Sequence, residues 1–181
     1  MKQKSKITIA LSLVLGIMLV TAISCTTTNP PTDSSTAPTS ATGLIVSAVT
    51  STTGGGYAPR NVLAIWIETN AGVFVKTLTV KAASRKYDLT KWESSSNGNI
   101  VDASTGATES SFGTVYGVWN GTDVSGKVVA DGTYKVCMEL TDRSNTGNFS
   151  SFTFTKGTTA ATQTPANVPS FSSISIKWLP L

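Results

Sequence analysis

The chain has 181 residues with 14 Lys and Arg, 10 Asp and Glu and no His, a formal net charge of +4. The absence of His removes the Ser-His and Cys-His arrangements, the usual zinc ligands and haem ligation by imidazole, so no catalytic constellation and no metal site are expected. Three of the basic residues, Lys2, Lys4 and Lys6, belong to the extreme N-terminus; without them 11 basic residues face 10 acidic ones, a net of +1. No basic stripe with interleaved aromatics survives that subtraction, so no nucleic-acid partner is expected.

In chain order, residues 1–24 read as a signal peptide: the three lysines, an apolar run from Ile7 to Ile23, then Cys25. Ala22-Ile23-Ser24-Cys25 resembles the bacterial lipoprotein site, in which a small residue precedes a Cys whose thiol is acylated, although Ala22 replaces the commoner Leu or Val. The alternatives are an ordinary signal or a single membrane anchor, but the run is near the short limit for a spanning helix. Attachment to the membrane is therefore expected through lipid on Cys25, at a periplasmic or outer surface. In the segment 25–42, everything after Cys25 is Thr, Ser, Pro, Asn and Ala with one Asp33, too polar to bury a core, and reads as a tether. Residues 43–181 are long enough for one domain with one core.

Within that domain, β-branched and aromatic residues alternate with polar ones in short runs broken by Gly, Asn and Asp. This predicts an all-β, antiparallel sandwich. The expected strands are 44–50, 62–69, 73–81, 114–119, 133–141, 149–155 and 172–178. Glu68-Thr69-Asn70-Ala71-Gly72 suits a hairpin between the second and third. Residues 88–94 suit one short helical turn, capped by Asp88 or Thr90, with Leu89 and Trp92 on one face. Cys137 has no disulfide partner once Cys25 is assigned to lipid and reads as a small buried hydrophobe.

Asp102-Ala103-Ser104-Thr105-Gly106-Ala107-Thr108 matches the pattern D-x-x-[ST]-G-A-[ST] and resembles the sites at which extracytoplasmic flavin transferases attach flavin mononucleotide (FMN) to a threonine. The resemblance implies Thr108 as the covalent acceptor and Asp102, Thr105, Gly106 and Ala107 as the surrounding cofactor site. Gly106 and Ala107 supply little bulk, as close approach to the transferase requires. A Thr hydroxyl is a weak nucleophile, so the base and the divalent cation come from the transferase, and the target offers an exposed loop. The alternative is a polar surface turn, since Asp, Ser, Thr and Gly are what connections are made of.

Trp119-Asn120-Gly121-Thr122-Asp123-Val124-Ser125-Gly126, followed by Asp131-Gly132-Thr133-Tyr134, resembles the turn pattern of immunoglobulin-like modules, including that of flagellar hook-capping proteins. It suits tight turns, with Tyr134, Val136, Met138 and Leu140 facing one side of the strand that follows. A tyrosine corner of the antibody type does not fit, because Cys137 lies three residues after Tyr134 and has no mate. Together with Ala64-Ile65-Trp66-Ile67-Glu68, these segments resemble, across residues 57–141, a family of predicted periplasmic proteins called domain of unknown function 2271. That resemblance implies a small exported β-sandwich encoded beside flavin transferases and membrane-bound electron-transfer proteins. The expected partners are a flavin transferase, an envelope redox protein and the membrane.

Glu109 stands where that family commonly has a basic residue, and a carboxylate beside a phosphoester is mildly unfavourable. For an aromatic face under a flavin ring, Trp92, Tyr116 and Trp119 flank the segment in sequence, with ordinary core packing as the competing role. Glu68 is either aimed at the site or a solvated hairpin end. The competing function is a non-redox, immunoglobulin-like binding or structural lipoprotein. Carbohydrate recognition by the four Trp is weaker, because Trp66 and Trp178 lie in strand patterns that bury them.

Overall fold

The computed structural model describes residues 37–40 and 42–181. The signal peptide, Cys25 and most of the tether lie outside the described residues. Nine strands follow in order: β1 (Gly43–Thr50), β2 (Val62–Thr69), β3 (Phe74–Lys81), β4 (Ser104–Gly106), β5 (Thr114–Trp119), β6 (Gly132–Thr141), β7 (Asn148–Lys156), β8 (Ala161–Gln163) and β9 (Phe171–Leu179). Between β3 and β4 lie a 3-10 turn (Lys86–Asp88) and one helix, α1 (Thr90–Ser96). The seven expected strands are all present within a residue or so at each end; β4 and β8, three residues each, were not anticipated.

The strands form two sheets, β5-β1-β9-β8 and β4-β3-β2-β6-β7, so the chain is an all-β sandwich. Pairing is antiparallel except at β4, which runs parallel to β3 with Thr79 opposite Ser104 and Lys81 opposite Gly106. Alternation on β1 puts Leu44, Val46 and Ala48 between the sheets, against Ile174, Ile176 and Trp178 of β9 and Leu63, Ile65 and Ile67 of β2. As the sequence pattern predicts, Tyr134, Val136, Met138 and Leu140 face this core from β6.

β2 is buried on both sides. Val62, Ala64 and Trp66 point away from the sandwich into a second, smaller core with Val80, Cys137, Leu89 and Trp92. The small core is what holds α1 to the sheet, since seven residues make too short a helix to persist alone. The helix is not capped by Asp88 or Thr90: Leu89 occupies the cap position and offers no side-chain acceptor. The carboxylate of Glu139 on β6 takes that role instead, accepting from the amides of Lys91 (3.0 Å) and Trp92 (2.9 Å). At the other end Asn97 adopts a left-handed conformation (φ 50°) and closes the helix on the Glu93 carbonyl.

Candidate functional site

The segment from Asp102 to Thr108 is not a free loop. Asp102 sits in the left-handed region (φ 56°), where Asp is tolerated better than most residues, and its carboxylate meets the ammonium of Lys76 at 2.9 Å. That ammonium is almost fully buried and also donates to Thr122 Oγ1 (3.1 Å) and the Asp123 carbonyl (3.3 Å). Asp102 therefore ties the segment to the Trp119 turn. Ser104, Thr105 and Gly106 then form the edge strand β4, with Thr105 exposed. A side chain at Gly106 would place its Cβ 2.7 Å from Lys81 Cδ, so the glycine makes room for a lysine of this chain. Ala107 is exposed and outside any strand.

Thr108 is half-buried and unpaired as a strand residue. The next residue is fixed on both backbone groups: Glu109 N donates to the Asn61 carbonyl (2.9 Å) and Asn61 N to the Glu109 carbonyl (3.0 Å). Asn61 is fully buried and its amide donates to the carbonyls of Pro59 (3.1 Å) and Ser111 (3.2 Å), clamping the strands of chain on either side of that pair. Thr108 is thus held between Gly106 and Glu109, and its hydroxyl makes no hydrogen bond among the described residues. The Glu109 carboxylate lies 3.8 Å from Lys81 Nζ, so the charge that seemed out of place beside Thr108 is balanced from β3.

Thr108 lines a cavity of about 330 Å³ with Tyr57, Arg60, Ser84, Arg85 and Ser110. The volume is at the low end of the range for small-molecule sites, roughly 300–1,000 Å³. Tyr57 and Arg60 come from the loop between β1 and β2, which is organised by Asp142 at the end of β6. Asp142 accepts from Thr52 Oγ1 (2.5 Å), Thr53 N (3.1 Å) and Gly55 N (2.9 Å), and also from the Thr53 hydroxyl. Burial alone would raise its carboxyl, but these donors outweigh burial and hold it below the ordinary 3.8. Gly55 passes so near that an added Cβ would lie 2.2 Å from Asp142 Oδ1.

Tyr57 is fixed at both ends: its amide donates to the Asp142 carbonyl (2.9 Å) and its hydroxyl pairs with Ser144 Oγ (2.7 Å). The Arg85 guanidinium lies 4.3 Å from the Tyr57 ring centroid, held by Asp88 (3.0 Å) and the Arg143 carbonyl (2.6 Å). Arg60 is exposed, and its guanidinium has no hydrogen bond or ion pair among the described residues.

The aromatic residues suggested by sequence are elsewhere. Trp92 is fully buried under α1 and donates to Thr77 Oγ1 (3.1 Å); Trp119 is 1% exposed and donates to the Thr122 carbonyl (2.7 Å). Tyr116 is half-buried on β5 and does not line the cavity. With Trp66 and Trp178 buried as expected, none of the four Trp offers a shelf to a sugar. Glu68 faces the small core, accepting from Trp66 Nε1 (2.8 Å) and Ser95 Oγ (2.6 Å), and is not at the site. Cys137 is buried beside it, and burial, followed by the Glu68 carboxylate, pushes its thiol up.

Tyr57 and Arg60 were missed from sequence because their loop is held by an aspartate more than 80 positions away, and Arg85 because the Arg143 carbonyl and the Tyr57 ring that place it are distant in sequence. The only local signal was Gly54-Gly55-Gly56-Tyr57-Ala58-Pro59-Arg60, an aromatic and a cation in a turn-forming run. Among the described residues, no group of three or more Cys, Asp or Glu is placed to hold a metal ion.

Comparison with known proteins gives no match among curated proteins or solved structures. A family profile, however, matches residues 45–169, described as predicted periplasmic protein, domain of unknown function 2271. The match runs through both sheets, the Asp102–Thr108 segment and the Tyr57 loop, and the chain belongs to this family of predicted periplasmic proteins.

Proposed function

We propose that this periplasmic protein carries FMN as a phosphoester on Thr108 and passes electrons at the cell envelope, anchored by lipid on Cys25. The observation that carries the reading is the Thr108 hydroxyl: it belongs to the acceptor pattern, lines a cavity, and is engaged by nothing else in the described chain. Attachment by a flavin transferase forms a bond between Thr108 Oγ and the FMN phosphorus of flavin adenine dinucleotide. The pyrophosphate bond breaks, AMP leaves, and the hydroxyl proton passes to a base of the transferase. A bound flavin supplies one- and two-electron transfer, and the protein's part is to set its exposure and surroundings. Asp102, through Lys76, and Glu109, through Asn61 and Lys81, hold the acceptor in place from both sides.

A second reading, a non-redox immunoglobulin-like binding lipoprotein, is favoured by one contact. The Tyr134 hydroxyl donates to the Ala130 carbonyl (2.7 Å), the bond of a tyrosine corner, without a disulfide.

Co-expression of the exported full chain with a flavin transferase separates the two. The expected result is flavin fluorescence that survives a denaturing gel and disappears in Thr108→Ala. A dark wild-type band beside a labelled control substrate would leave the binding-module reading.

A further inference from the structure

The cavity beside Thr108 has a composition that the acceptor role alone does not require. A transferase target needs an accessible hydroxyl; it does not need an anchored tyrosine, an unpaired arginine and a second arginine stacked on the tyrosine. Resting on the flavin reading above, we propose that this cavity is where the attached FMN lies. Tyr57 supplies the aromatic face for the ring system, and Arg60 neutralises the phosphodiester.

Three observations carry this. Arg60, Arg85 and Lys81 against Asp88 and Glu109 leave one positive charge in excess around Thr108, and Arg60 is the cation whose guanidinium has no partner among the described residues. A phosphodiester bears one negative charge, so the attached group closes the balance, and a guanidinium suits phosphate oxygens better than a point charge does. Tyr57 is 40% exposed although both its amide and its hydroxyl are tied down and Arg85 covers it from one side. An exposed aromatic that has already lost its freedom is a ready stacking surface, because ordering it costs nothing further on binding. Finally, Trp92 and Trp119 are closed inside the cores and Tyr116 lies off the cavity, so Tyr57 is the aromatic within its walls.

The test uses the full chain labelled by a flavin transferase, with two readouts: covalent flavin per protein on a denaturing gel, and quenching of flavin fluorescence by acrylamide in the folded protein. The expected result is protection of the wild-type flavin by at least about threefold relative to the same protein in denaturant, kept in Tyr57→Phe and largely lost in Tyr57→Leu. Arg60→Gln should also lose protection, with covalent labelling retained in all three. Labelled Tyr57→Leu and Arg60→Gln proteins as protected as wild type would overturn the cavity assignment while leaving attachment at Thr108 intact. An unlabelled wild type beside a labelled control would instead remove the flavin reading itself, and this inference with it.

Discussion

At the scale of single residues, the segment from Asp102 to Thr108 divides into positions set by the fold and one that is not. Asp102 answers a buried ammonium, and Gly106 answers the side chain of Lys81. Removing the Asp102 carboxylate leaves Lys76 in the interior with only a hydroxyl and a carbonyl. Because Asp102 itself is mostly exposed, the cost is expected near 1–2 kcal/mol and below that of a fully buried pair. Urea denaturation should find Asp102→Ala more costly than Asp102→Asn, since Asn keeps the left-handed preference and an acceptor oxygen. Equal losses would mean that the carboxylate charge paired with Lys76, which both variants remove, accounts for the cost.

Two buried carboxyls give stability opposite dependences on pH. Asp142 is held below 3.8, so its contribution is complete above that value and is lost as pH falls through its folded-state pKa. Glu139 is raised above 4.5, first by burial and in spite of the amides of Trp92 and Lys91. It is ionised in the unfolded chain before it is ionised in the fold, so stability declines as pH rises from 4.5 through the folded value. In urea midpoints measured from acid to neutral pH, Asp142→Asn should flatten the acid limb. Glu139→Gln should flatten the decline above it, and unchanged slopes would remove these two groups as the cause.

At the scale of elements, what was legible was what is periodic. β1, β2, β3, β5, β6, β7 and β9 announce themselves by alternation, and Leu89 with Trp92 by helical spacing. β4 and β8 are three residues each, too short for a period to register, and are exposed or nearly so, so no apolar pattern marks them. The α1 cap was misassigned for a related reason: local rules search the neighbouring residues, whereas Glu139 reaches the helix from 47 to 48 positions away. The site follows the same division. Thr108 is visible because its neighbours in sequence form a pattern. Tyr57 and Arg60 reach it only through Asp142, and Arg85 through Asp88, the Arg143 carbonyl and the Tyr57 ring.

At the scale of the whole molecule, the two sheets have unequal support. The five-stranded sheet is packed on both faces at β2, between the main core and the layer under α1, while β1 at the centre of the other sheet has packing on one face. β1 depends on its neighbours, β5 on one side and β9 on the other. Truncation before Phe171 removes β9 and with it Phe171, Ile174, Ile176 and Trp178 from the main core. Such a truncated chain is expected to lose cooperative unfolding altogether, seen as a featureless thermal transition by tryptophan fluorescence; a truncated chain that still melts sharply would show that the five-stranded sheet stands alone.

The pairing of β1 with β9 also orders events in time. Residue 43 opposes residue 179, so as the chain emerges from a ribosome or through a membrane β1 cannot complete its sheet until β9 has followed. Until then Gly43 to Thr50 has only β5 to pair with, and its other edge stays open. For a periplasmic protein this makes closure of the four-stranded sheet a late event, and on the proposed flavin reading the finished sandwich, with Glu109 registered against Asn61, is the form that presents Thr108.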